Sequence, residues 1–120
     1  MKVIEAVQSL GALAQETRLA VFRLLVKAGP AGLAAGVIAE RMHVTPATLS
    51  FHLKELERAG LLTARRESRQ IYYMPNFSGM RDLLSFLTED CCRGRPEVCS
   101  PRAPSDASGK RAASAGRRQR

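Results

Sequence analysis

Three cysteines sit close together in Cys91-Cys92-Arg93-Gly94-Arg95-Pro96-Glu97-Val98-Cys99, and they are the side chains best equipped for chemistry in this 120-residue chain. A reducing cytoplasm keeps such residues as thiols rather than as a disulfide framework. Three thiolates complete the pyramidal coordination of a soft trivalent ion carrying a lone pair, arsenic(III) or antimony(III), and two suffice for an organic trivalent arsenical. Zinc prefers four ligands in a closed site, and the neighbouring Glu89, Asp90 and Glu97 are hard oxygen donors that suit a thiolate set poorly. Arg93-Gly94-Arg95-Pro96 offers a turn that can bring Cys99 back onto the vicinal pair. Vicinal cysteines point apart on a regular helix, so the helix before them should already be ending. On these residues alone a metalloid site, a thiol redox switch and ordinary thiols all stand. Arg93 and Arg95 would lower a thiol pKa while a helix C-terminus would raise it. No Cys-x-x-Cys and no acid-base constellation accompanies the thiols, so an enzyme is not expected.

The elements that must carry this segment read as mainly helical. Val3, Ile4, Val7, Leu10 and Leu13 recur at helical spacing and predict a first helix ending near Ala14. Leu19, Phe22, Leu25 and Val26 give a second helix an apolar stripe, stopped by Gly29-Pro30. After a connection flanked by Gly32 and Gly36, a short third helix is expected from about Ala35 to Met42, with His43-Val44 as the turn. Thr45 then caps, and Pro46 begins, a fourth helix that Gly60 ends. Beyond Leu62 the period changes to alternation: Thr63–Arg66 and Gln70–Met74, separated by Glu67-Ser68-Arg69, predict a β-hairpin. Asn76 can cap a last helix whose apolar face, Met80, Leu83, Leu84 and Leu87, runs towards Cys91. Three helices followed by a hairpin is the layout of a winged helix-turn-helix, a mainly α fold with a small β-hairpin wing (α+β).

In that layout the fourth helix enters the major groove. At 100° per residue, Leu49, Leu53 and Leu56 face the core while Ala47, Phe51, Lys54 and Arg58 point the other way, flanked by Thr48 and Ser50. Small side chains at a helix N-terminus allow close approach to DNA, Lys54 adds a phosphate contact, and Thr45 opens the helix. Phe51 either meets a thymine methyl or packs against the turn. His52, beside the leucine row, is expected to be semi-buried or to donate to a phosphate; no second ligand at helical spacing supports a metal role for it. Arg65, Arg66 and Arg69 are expected to cluster at the wing tip, where long cations reach an adjacent backbone or minor groove.

Composition sets the frame for these sites. One compact domain is expected at 120 residues, and 45% apolar content is enough for a core. No stretch is apolar for long enough to span a membrane, and Met1–Glu5 does not open a secretory signal, so a cytoplasmic protein with no membrane partner is expected. Of the formal net charge of +8, +6 falls from Arg93 onward, where eight Lys and Arg face Glu97 and Asp106. A DNA-binding claim for the first 92 residues therefore rests on where charges sit, not on their sum. The organisation expected is residues 1–92 for DNA binding and dimerisation, 93–100 for the metalloid-binding segment, and 101–120 for a disordered basic tail, where little could be buried to offset the entropy of ordering.

Two stretches carry a family likeness: Leu10-Gly11-Ala12-Leu13-Ala14-Gln15-Glu16-Thr17-Arg18-Leu19, and Thr48-Leu49-Ser50-Phe51-His52-Leu53-Lys54-Glu55-Leu56-Glu57-Arg58-Ala59-Gly60-Leu61-Leu62. Over about Val3 to Leu87 the chain resembles the arsenic-resistance regulator (ArsR/SmtB) family. The resemblance implies a homodimeric repressor that releases double-stranded operator DNA when an inducer binds, with no cofactor required. The apolar faces of the first and last helices independently exceed what one small domain covers, which also predicts a dimer, and a two-fold dimer reads a palindrome. Ala35–Met42 has no cysteine and the last helix no histidine, so the family's best-known arsenic and zinc or nickel patterns do not exist here. The resemblance instead runs to a subgroup of arsenite regulators with paired cysteines after the last helix, implying As(III) or Sb(III) as inducer on Cys91, Cys92 and Cys99. A thiol-based redox-sensing repressor of the same fold is the alternative.

Overall fold

The computed structural model describes residues 1–89, which run as α1 (Val3–Leu13), α2 (Glu16–Ala28), β1 (Leu33–Ala34), α3 (Ala35–Met42), α4 (Pro46–Arg58), β2 (Leu62–Glu67), β3 (Gln70–Pro75) and α5 (Phe77–Thr88). Met1–Phe86 form one compact unit and Leu87–Arg120 a second. Cys91, Cys92 and Cys99 lie outside the described residues, as do the boundaries expected at 93 and 101.

Each helix boundary near the turn has a local cause. α3 ends on His43, whose φ of 58° is left-handed, and the Val44 N–H returns to the Ala39 carbonyl at 3.1 Å. Two residues later Thr45 Oγ1 accepts from the Thr48 N–H at 3.2 Å, with Pro46 in the first turn of α4. Gly60 carries φ of 83° just past α4, and the Leu61 N–H closes onto the Leu56 carbonyl at 3.0 Å. Asn76 joins that exit to the next helix: its Nδ2 donates to the Gly60 carbonyl at 3.0 Å while its Oδ1 accepts from the Gly79 N–H at 3.1 Å.

The sheet has one strand more than the expected hairpin. Its order is β1-β3-β2, all antiparallel, with Leu33 opposite Tyr73 and Leu62 opposite Pro75. The connection after α2 thus contains a two-residue strand, and Gly32 makes its approach feasible. Gly32 has φ of 76°, and a Cβ there would collide with the Tyr73 carbonyl oxygen. The core beneath comprises Val21, Phe22 and Leu25 of α2, Ile38 of α3, Leu49, Leu53 and Leu56 of α4, then Leu61, Leu62 and Tyr73. Leu19, expected in the α2 stripe, is exposed.

α1 faces the opposite way from the simplest reading of its pattern. Its small residues Ala6, Ser9 and Ala12 are buried, and Ser9 Oγ donates to the Ala59 carbonyl at 3.2 Å. Its large apolar residues Val3, Ile4, Val7 and Leu10 stay between 42% and 67% exposed. Leu84 and Leu87 of α5 are exposed as well. These side chains form an apolar surface that this one chain leaves open.

Candidate DNA interface

The core packing of Leu49, Leu53 and Leu56 fixes the rotation of α4 and turns its other side outward. Ala47, Thr48, Ser50, Phe51 and Lys54 are all exposed on it, together with the cap residue Thr45. No acid lies between Pro46 and Lys54, so the positive end of the helix dipole is unopposed along this half of the helix. The Thr45 hydroxyl donates to Thr48 Oγ1 at 3.0 Å besides accepting the cap bond, which locks the two residues at the helix start. Phe51 is 58% exposed, and its ring meets the His52 ring edge-on, centroids 5.5 Å apart.

His52, counted in sequence with the reading residues, does not share that outer face. It is 9% exposed and counts among the buried polar side chains. Its Nδ1 lies 3.2 Å from Arg18 Nη1. A guanidinium only donates, so Nδ1 accepts and the ring is neutral. Burial first, and the Arg18 charge second, hold its pKa below the ordinary 6.5. The leucine row next to it explains the placement.

The wing arginines are more dispersed than a tip cluster. Arg65 is opposite Tyr72 and Arg66 opposite Ile71, so successive side chains emerge on opposite faces of the ribbon. Arg65 Nε pairs with Glu67 at 3.2 Å, and its guanidinium stands 5.1 Å over the Tyr72 ring. Arg66 is exposed on the other face. Arg69 is in the two-residue turn after Ser68, whose φ of 56° is the sign tight hairpin turns require. It borders an open cleft with Gly36, Val37 and Glu40 of α3.

Arg18 is the residue that sequence reasoning left without a role. Its backbone N–H is capped by the Gln15 side chain at 2.8 Å, its Nε donates to the Ala12 carbonyl at 2.7 Å, and its Nη1 donates to His52. The signal that could have found it is a cation one turn into α2, within reach of the last carbonyls of α1. Among the described residues, no group of three or more His, Cys, Asp or Glu comes together to hold a metal ion, and no helix is long and apolar enough to cross a membrane.

A helix-turn-helix domain model, HTH_20, matches residues 13–65. An uncharacterized HTH-type transcriptional regulator of Bacillus subtilis, YceK, is 36% identical over 76 residues, 55% of this chain and 75% of that protein. The solved homodimeric winged helix-turn-helix DNA-binding domain of Mb0332 from Mycobacterium bovis, a "possible ArsR-family transcriptional regulator", superposes with a TM-score of 0.60. It is 26% identical, over 73% of this chain and 82% of that one. HlyU of Vibrio cholerae, a transcriptional activator also solved in reduced form, is 30% identical in structure-based alignment. That alignment covers 72% of this chain and 97% of that one, with a TM-score of 0.58.

Proposed function

This chain belongs to the winged helix-turn-helix transcriptional regulators of the ArsR/HlyU type, and from that membership we propose that it is a homodimeric repressor of a palindromic operator, released by As(III) or Sb(III) on Cys91, Cys92 and Cys99. It is a DNA-binding regulator and not an enzyme. The reading face is Thr45, Ala47, Thr48, Ser50, Phe51 and Lys54, with Phe51 against a thymine methyl and Arg65, Arg66 and Arg69 on the flanking backbone or minor groove. The open apolar surface of α1 supports dimerisation, and the homodimeric Mycobacterium bovis domain is consistent with it.

The observation that carries the switch is the donor set itself: three thiols within Cys91–Cys99. Arsenite takes them without redox change. Three S–As bonds form, three As–O bonds break, and the three thiol protons leave with the hydroxides as water. Metalloid capture would tie the segment after α5 and change the angle between the dimer halves, spoiling the spacing of the two reading helices. A coupling of about 2 to 3 kcal/mol weakens DNA binding roughly 30- to 150-fold. The test is a Cys92→Ser variant, which binds the operator as the parent does and ignores arsenite; loss of DNA binding in that variant without any ligand would make the cysteines structural. A thiol redox switch is the second reading, favoured by the solution of HlyU in a reduced form, and it predicts release by peroxide instead.

A further inference from the structure

The reading face leaves one buried polar contact unused. Arg18, on α2, donates through Nε to the Ala12 carbonyl in the last turn of α1 and through Nη1 to Nδ1 of His52 on α4. His52 is adjacent in sequence to the exposed Phe51 and in ring contact with it. One guanidinium therefore links the helix bearing the open apolar surface to the helix bearing the reading face.

We propose that Arg18 is a positioning residue for the DNA-reading helix: it clamps α4 to the C-terminal end of α1 by donating to the Ala12 carbonyl and to His52 at once, and operator binding requires that clamp to stay closed. The inference rests on the DNA-interface reading above. Its chemistry gives it a direction. Protonated His52 has no acceptor at Nδ1 and sets a second cation against Arg18, so acid opens the clamp. Burial and the Arg18 charge resist that protonation, which keeps the clamp closed near neutral pH. The charged surroundings are Arg18 from α2 and, bordering the same cleft, Glu55 and Arg58 of α4, which pair with each other; α1 contributes the uncharged Gln8, Gly11 and Ala12. His43, exposed in the turn before α4, is the other imidazole, and its protonation would add a cation and tighten DNA binding.

The test measures fluorescence anisotropy of the full chain on the promoter fragment upstream of its own gene, from pH 7.5 to 5.5 at fixed salt. The wild-type chain should lose affinity roughly tenfold as pH falls, the opposite of a simple gain of charge. His52→Asn keeps an acceptor near the Nδ1 position and does not titrate, so it should match wild type at pH 7.5 and lose none of that affinity on acidification. Arg18→Lys, which cannot reach both acceptors, should bind roughly tenfold more weakly across the range with unchanged helix content; if it fails to fold, the His52→Asn comparison decides alone. Wild-type affinity that is flat or rises on acidification, or a His52→Asn profile that follows wild type, overturns the proposal while leaving the interface standing. Absence of binding at every pH overturns the interface, and the clamp with it.

Discussion

Arg18 Nη1 lies 3.2 Å from His52 Nδ1, so a residue at the start of α2 and one in the middle of α4 share a hydrogen bond that only a neutral imidazole can accept. This has a consequence for stability as well as for binding. His52 titrates below its ordinary 6.5 in the folded chain, chiefly through burial and then through Arg18. Between those two values the unfolded chain binds more protons than the folded one, so stability is full above 6.5 and falls as pH drops towards the folded value. Urea unfolding of wild type and His52→Asn between pH 5.5 and 7.5 should show this loss in wild type and a smaller slope in the variant. Identical slopes would mean that His52 does not contribute.

Placing a charge on the open α1 surface should separate folding from assembly. Val7 is more than half exposed, so Val7→Glu should leave the domain folded but monomeric by light scattering. Losing the second half-site contact should then weaken operator binding by about a hundredfold.

On the reading face, Lys54 and Phe51 are expected to fail differently. Lys54→Ala should weaken binding to every sequence alike and reduce the slope of log K against log salt by about 1, the signature of one lost phosphate contact. Phe51→Ala should leave the salt slope unchanged and relax the preference for thymine within the half-site. Competition titrations against operator and scrambled DNA at three salt concentrations measure both.

Gly32 tests the strand that sequence reasoning did not find. With a left-handed φ and the Tyr73 carbonyl where a Cβ would go, Gly32→Ala should cost about 2 kcal/mol or more, read as a lowered Tm. Wild-type stability in this variant would mean that β1 does not press against β3.

Most of the fold was legible because its signals are local. The cap at Thr45, Pro46 in the first turn and Gly60 just past the end marked α4, and the change from helical to alternating spacing after Leu62 marked the hairpin. β1 was not legible, since two residues acquire strand character only by pairing with Tyr72 and Tyr73 from a distant part of the chain. The α1 stripe shows another limit: periodicity reveals an apolar face but not what covers it, and here Ala6, Ser9 and Ala12 are turned inward instead. In the site, the leucine row pointed α4 the right way and placed Phe51 outward. Strand alternation, not charge content, decided that Arg65 and Arg66 part company. The Arg18 contact with His52 joins residues far apart in sequence, which no local pattern encodes.

The central claim, a repressor switched by a trivalent metalloid, is tested most directly by one anisotropy titration. The reduced full-length chain is bound to its promoter fragment, and arsenite, zinc and peroxide are added in separate arms. Release by arsenite, with zinc and peroxide inert, is the result predicted. Release by peroxide with arsenite inert would contradict the metalloid switch and assign the three thiols to redox sensing.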